Sequence, residues 1–143
     1  MTPDFRRATL LLVFVACLTG CNRGVQMVPV SGKVVFDDGG VVTSGVIEFT
    51  TADNLHTARS RIGPDGTFRL GTRSTSDGAV TGRHRVIVTQ IVLVEGVPAA
   101  GHAPHGIVHE KYADYATSGL TAEVPSTGVS NLVITVSHGA SGK

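Results

Sequence analysis

Tryptophan is absent from this 143-residue chain, and aromatic residues of all kinds make up only 5% of it. A hydrophobic core must therefore be mainly aliphatic. The only cysteines, Cys17 and Cys21, lie near the amino terminus, so the remainder of the chain cannot form a disulfide. Neither sign of charge dominates, since 12 basic and 11 acidic residues give a net charge of +1. No basic run follows the first residues, which argues against a nucleic-acid partner.

Long apolar segments are also missing. The run Ala8–Leu18 is shorter than the roughly 20 apolar residues that a membrane-spanning helix requires. Arg6 and Arg7 precede it, and small residues follow it, which is the layout of an export signal. The four residues Leu18-Thr19-Gly20-Cys21 resemble the lipobox of bacterial lipoproteins.

That resemblance implies a lipid anchor. In such lipoproteins the cysteine thiol, here that of Cys21, receives a diacylglycerol and the signal is cut before it. Residues 1–20 are then a signal peptide with a helical apolar segment, and residues 21–27 are a lipidated tether. Two or more acyl chains hold a protein stably at a membrane. The alternative is an ordinary secretory signal with a chance cysteine.

Asn22 bears on which membrane of a bacterial envelope the anchor would reach. Aspartate after the lipidated cysteine usually retains a lipoprotein at the inner membrane, and this chain has asparagine there. By that sorting rule the predicted location is the outer membrane, with the domain facing the periplasm or the exterior.

From residue 28 onward, apolar residues alternate with polar ones instead of recurring at helical spacing. Gly, Pro and Asp residues separate the alternating segments. The pattern predicts an all-β, two-layer sandwich of seven strands. The seven segments lie near residues 28–36, 46–50, 58–62, 68–70, 82–94, 120–124 and 132–136. The turn Gly63-Pro64-Asp65-Gly66 further predicts a hairpin over residues 57–70.

The order of several short motifs resembles the carboxypeptidase regulatory-like domain, a transthyretin-like or prealbumin-like, Ig-like sandwich. Those motifs are Val30–Val34, Gly45–Phe49, Asp65–Phe68 and Gly82–Val88. The run Lys111–Leu120 resembles a segment of small bacterial lipoproteins that carry this one domain. The resemblance implies a β-sandwich over residues 28–137, a polar tail over 138–143 and no known catalytic centre.

Two positions depart from that family. It usually has an aromatic residue where this chain has His84, and often proline where this chain has Tyr115. The strand alternation turns His84 inward, where we expect a ring nitrogen to bind a backbone carbonyl. No partner for a general base is evident in the sequence.

Three histidines form the pattern that most resembles a metal site. His102, His105 and His109 are spaced so that they could share Zn²⁺ or Cu²⁺, with Glu110 or Asp114 completing the shell. No specific motif matches, and solvated histidines on a Gly/Pro loop are the simpler interpretation. We therefore predict neither a metal nor another cofactor.

Other polar residues have ordinary explanations with one exception. Asp37, Asp38 and Asp65 suit turns, whose own hydrogen bonds favour aspartate. No nucleophile elbow or phosphate-binding loop is present, so no catalytic residues are predicted. The exception is a set of arginines that can share an exposed face of the 57–70 hairpin, namely Arg59, Arg61, Arg69 and Arg73. Ordinary solubility is the simpler interpretation of these charges, and a binding strip for anionic glycans or lipid headgroups is the functional one.

These observations predict a membrane-anchored envelope lipoprotein that is not an enzyme. Its sandwich would act as a binding or scaffolding module for an envelope protein or a glycan. The ends of the sandwich and the loop over residues 95–118, with one helical turn near His109–Tyr115, are the predicted contact surface, and an edge strand could also pair with a partner strand. The alternative function is a metal-binding periplasmic domain that uses the histidine loop 102–109.

Overall fold

The computed structural model describes residues 25–90 and 107–139, and these residues form an all-β architecture. The strands are β1 (Met27–Val28), β2 (Val30–Phe36), β3 (Val46–Thr51), β4 (Thr57–Arg61), β5 (Thr67–Arg69), β6 (Ala79–Val80), β7 (Gly82–Thr89), β8 (Leu120–Val124) and β9 (Val129–Val136). A 3-10 helix spans Glu110–Ala113. The predicted signal helix and Cys21 lie outside the described residues. Within the described ranges, no helix has the length and apolarity needed to span a membrane.

Two main sheets build a sandwich-like fold. One has three strands in the order β5-β2-β9, and the other has four in the order β4-β3-β7-β8. A small additional sheet pairs β1 with β6. All pairings are antiparallel except that of β2 with β9, which places the first and last long strands side by side. The all-β prediction is therefore confirmed.

The core lies where the inward faces of the two main sheets meet. Phe49 of the four-stranded sheet and Phe68 of the three-stranded sheet have ring centroids 6.1 Å apart. Val34, Ile47, Phe49 and Val86 are fully buried, each at an alternate position of its strand. The side chains predicted from the alternation to point inward are thus the ones that are buried in the structure. Most of the buried side chains are aliphatic.

The predicted hairpin over residues 57–70 is wrong in its pairing. Its turn is present, since the amide of Gly63 donates to the Thr67 carbonyl at 2.8 Å. However, β4 pairs with β3, whereas β5 crosses to the other sheet and pairs with β2. Phe68 lies opposite Gly32 there, and a Cβ at Gly32 would come within 2.9 Å of the Phe68 ring. A Cβ there would also lie 2.0 Å from the Leu132 carbonyl oxygen, so glycine accommodates both the close β9 backbone and the Phe68 ring.

Two short strands were not predicted. Pro29 separates β1 from β2, because proline has no amide hydrogen for a ladder bond. β6 is only two residues long and forms because β1 lies beside it, with Met27 opposite Val80. Gly78 precedes β6 and has a φ of +97°, and a Cβ there would lie 2.0 Å from the Val28 carbonyl oxygen.

The contact at Gly78 is testable with a matched glycine. Gly39 also has a positive φ, of +89°, but nothing lies within 4 Å of the position that a Cβ would take there. Gly39→Ala should therefore lower the free energy of unfolding by only the conformational cost of about 1–2 kcal/mol. Gly78→Ala should lower it by a further amount of about 1–3 kcal/mol, because the Val28 carbonyl must move. Urea denaturation of both variants measures the difference, and equal losses would contradict the close contact.

Candidate binding site

An open groove of about 960 Å³ lies along the edge of the four-stranded sheet that β4 forms. The four arginines singled out from the sequence all line it: Arg59, Arg61, Arg69 and Arg73. The structure therefore brings together residues that come from two sheets and a loop. Serine and threonine residues provide most of the other polar lining, among them Ser74, Thr75, Ser76 and Thr89.

Strand geometry directs two of these arginines outward. Ala58 is buried in the core, so Arg59 and Arg61, at the exposed positions of β4, point away from it. Arg59 lies opposite Glu48 on β3, and Arg61 lies opposite Val46. The Cα atoms of the two arginines are about 6.7 Å apart, as expected for residues two apart on a strand.

Arg69 reaches the same groove from the other sheet. The Ser60 hydroxyl oxygen accepts the amide hydrogen of Arg69 at 3.1 Å, which holds β5 against the edge of β4. One residue after Leu70, Gly71 exchanges two backbone hydrogen bonds with Arg59, at 2.9 and 3.0 Å. The chain after β5 thus extends the four-stranded sheet and carries Arg73 to the groove.

A carboxylate inside the following loop fixes Arg73. Asp77 accepts hydrogen bonds from the amides of Thr72 at 2.6 Å and of Arg73 and Ser74 at 3.1 Å each. These bonds, chiefly the one from Thr72, lower the pKa of the Asp77 carboxyl below its ordinary value. Since the Asp77 charge is directed at backbone amides, the loop keeps one shape and presents the Arg73 side chain to the groove.

The groove is electropositive. Among the described residues that line it, Glu48 is the sole acid, 3.8 Å from the Nε of Arg59. That arginine side chain is 69% exposed, so the pair is weak. Within residues 25–90 and 107–139, neither Arg61, Arg69 nor Arg73 has a carboxylate within 4.0 Å.

The basic surface continues beyond the groove. A second depression, of about 630 Å³, is lined by Arg61 and Arg69 on one side and by Lys33 and Asn131 on the other. Both depressions are therefore lined by Arg61 and Arg69, which lie on either side of the turn between β4 and β5. A ligand longer than one depression would meet positive charge along this whole corner.

The loop predicted as the main contact surface is only partly described. Its helical turn is confirmed as the 3-10 helix Glu110–Ala113. Tyr112 is buried, and its hydroxyl lies 3.3 Å from that of Ser137. Ser118 donates a hydrogen bond to the Val86 carbonyl at 2.6 Å. Val108, Tyr112 and Ser118 thus attach residues 107–118 to the core, and about half of this segment stays exposed. Residues 95–106 lie outside the described ranges.

Of the three histidines in the predicted loop, only His109 lies among the described residues. His102 and His105 lie outside the described residues. His109 precedes the 3-10 helix, and its Nδ1 accepts the amide hydrogen of Lys111 at 3.1 Å. One nitrogen of this ring is therefore already used as a helix cap, and the described residues do not test the metal-binding alternative.

The folded chain forms a different group of metal-type ligands, which the sequence did not predict. Asp37, Asp38 and His138 offer atoms within 4.8 Å of one another, and all three are exposed. His138 Nε2 lies 3.0 Å from Asp38 Oδ2, and its ring stacks on Phe36 at 3.9 Å. The other Asp38 oxygen accepts the Gly40 amide at 2.9 Å. A turn hydrogen bond and a surface pair thus account for the arrangement.

His84 lies where the sequence placed it. Its side chain is 1% exposed, and Nδ1 is 3.0 Å from the Gly82 carbonyl oxygen. The ring also lies against Phe49, with centroids 6.0 Å apart. Burial lowers the pKa of the imidazole below its usual 6.5. The residue is a neutral component of the core.

No family model, curated protein or solved structure matches this chain. The residues of the site must therefore supply its interpretation. Among the described residues, the groove combines the greatest concentration of like charge with an open, rigid setting, and we define it as the arginine groove.

The lowered pKa of His84 predicts a pH-dependent stability. Below about pH 6.5 the unfolded chain binds a proton at this residue that the native state resists, so the free energy of unfolding falls as the pH drops. His84→Phe retains an aromatic ring and removes this proton, so the slope between pH 7.5 and 5.5 should become flatter. Urea denaturation at several pH values measures it. The same slope in both proteins would assign the effect to other groups.

Metal content separates the two functions predicted from the sequence. We expect the purified protein to hold no stoichiometric zinc or copper, because His109 Nδ1 accepts the Lys111 amide hydrogen and an uncharged ring in that arrangement carries its own hydrogen on Nε2, which leaves no free lone pair for a metal. Elemental analysis and melting with and without a chelator are the measurements. One metal ion per chain that is lost in the variant His102→Ala/His105→Ala/His109→Ala would instead support the metal-binding alternative.

Proposed function

We propose that this protein is a lipid-anchored lipoprotein of a bacterial envelope whose β-sandwich is a non-catalytic binding module. Its anchor would be the acylated Cys21, and Asn22 favours delivery to the outer membrane. The finer fold we propose is the transthyretin-like sandwich of the carboxypeptidase regulatory-like domains. The order of the short motifs and the sandwich-like arrangement of the two sheets support it.

The observation that carries the binding role is the arginine groove. Four guanidinium groups face one open space, and strand pairing and the Asp77 bonds hold their backbone in place. Because the backbone is already ordered, a ligand that binds here has to order only the arginine side chains. Such an arrangement suits recognition and requires no reacting group.

The position of the groove relative to the tether is also favourable. The Gln26 carbonyl accepts the Thr81 amide, so the chain leaving the proposed tether joins the fold just before β7. The groove reaches Thr89, at the other end of β7. Eight residues of strand separate these points, or about 26 Å. A module anchored at the first point would hold the far end of the groove away from the membrane.

Substitution of Cys21 tests the anchor. Cys21→Ser should prevent acylation, so that the protein accumulates as a precursor or leaves the membrane fraction. Fractionation of bacterial cells and mass spectrometry of the amino-terminal peptide are the measurements. Cys17→Ser is the matched control, because Cys17 lies within the proposed signal and its loss should leave membrane retention intact. Full membrane retention of a Cys21→Ser protein that has been cut to the mature length would contradict the proposal.

A further inference from the structure

We infer that the arginine groove binds a linear acidic polysaccharide, a chain with an anionic group on successive sugars. This inference rests on the proposed function as a binding module and names the ligand of the same site. Charge, spacing, hydroxyl groups and shape support it separately.

The charges of the groove favour an anionic partner. Arginine has a planar guanidinium that binds a carboxylate, sulfate or phosphate with two parallel hydrogen bonds. Three of the four arginines have no carboxylate within 4.0 Å among the described residues, so their donors are available. The single acid in the lining, Glu48, already faces Arg59 and receives a hydrogen bond from the Tyr115 hydroxyl at 3.5 Å.

The spacing of the charges favours a repeating ligand over a single anion. The Cα atoms of Arg59 and Arg61 are about 6.7 Å apart along β4. Arg69 lies beside them through the hydrogen bond to Ser60, and Arg73 lies beyond the backbone pairing of Gly71 with Arg59. Backbone positions spread over two strands and a loop suit a chain with regularly placed charges better than one small anion.

The remaining lining suits a sugar. Ser74, Thr75 and Ser76 are exposed residues of the loop, and Thr89 lies at the end of β7. Their hydroxyl groups can donate to or accept from the hydroxyls of a sugar ring. No aromatic side chain is among the described lining residues, so the stacking that single-stranded nucleic acids use is not provided.

The shape of the site argues against a lipid headgroup surface. The arginines belong to the walls of a depression that continues into a second one past Arg61 and Arg69. A bilayer is flat and would meet only the rim. A flexible polymer can lie along the depression and reach both walls.

The experiment is a calorimetric titration of the purified protein as bacterial cells process it, in neutral detergent at low salt, with polygalacturonate. We expect binding that weakens as salt is added, because screening reduces the attraction between exposed charges. Fully methyl-esterified polygalacturonate has the same sugar without the charge, and it should not bind. Arg61→Gln and Arg69→Gln should each weaken binding about two- to fivefold, as for exposed ion pairs. The variant with all four arginines replaced should show no binding.

Arg83→Gln is the matched control. Arg83 is exposed on β7 and lines another depression, with Thr51 and Asp53, so its loss changes the net charge equally without touching the arginine groove. Its affinity should stay within about twofold of the wild type, as for a distant surface substitution. Circular dichroism melting of every variant confirms that exposed substitutions leave the fold intact.

Several results would overturn the inference. These are no binding of polygalacturonate at low salt, equal binding of its methyl ester, or an equal loss of affinity in Arg83→Gln. A fourth is a preference for vesicles of phosphatidylglycerol and phosphatidylcholine over the polymer, which would assign the groove to a membrane surface. The anchor is tested separately, because fractionation of the Cys21→Ser protein does not depend on the ligand, and polymer titration does not depend on membrane retention.

Discussion

Alternate side chains of β2, β3, β7 and β9 meet between the two sheets, and this contact holds the domain together without a disulfide among the described residues. Val34, Ile47 and Val86 contribute aliphatic groups, and the Phe49 and Phe68 rings join the two layers. Burial of such side chains stabilises each by about 1.5–3 kcal/mol relative to exposure. The choice of side chains that this core buries determines which side chains of the described strands face the solvent.

The arginine groove is one consequence of that core. A strand that buries Ala58 must expose Arg59 and Arg61, because successive side chains point to opposite faces. The crossing of the chain between the sheets then places Arg69 beside them, and Gly71 continues the sheet toward Arg73. The repulsion among these like charges is tolerated since all are exposed to water, which screens them. The same exposure leaves them available to an anion.

Unlike the exposed arginines, polar side chains near the core form hydrogen bonds within the fold. His84, Tyr112 and Ser118 are buried, and each has a hydrogen-bonding partner within the fold. No buried side-chain nitrogen or oxygen of the described residues lacks a partner. These groups contribute specificity to the packing, and the groups free to bind a ligand lie on the outer surface. The proposed recognition and the stability of the fold therefore depend on separate sets of the described residues.

The period-two pattern, the turn residues and the four exposed arginines were readable in the sequence, because they follow from alternation within single strands and from the chemistry of Gly, Pro and Asp. So were the inward placement of His84 and the helical turn after His109. Other features could not be read from the sequence. These are the pairing of β5 with β2, the two short strands, the approach of His138 to Asp38 and the way in which two sheets and a loop join the four arginines in one groove. Those features bring together residues far apart in the chain or on different sheets, and only the packing of one layer on the other selects such contacts.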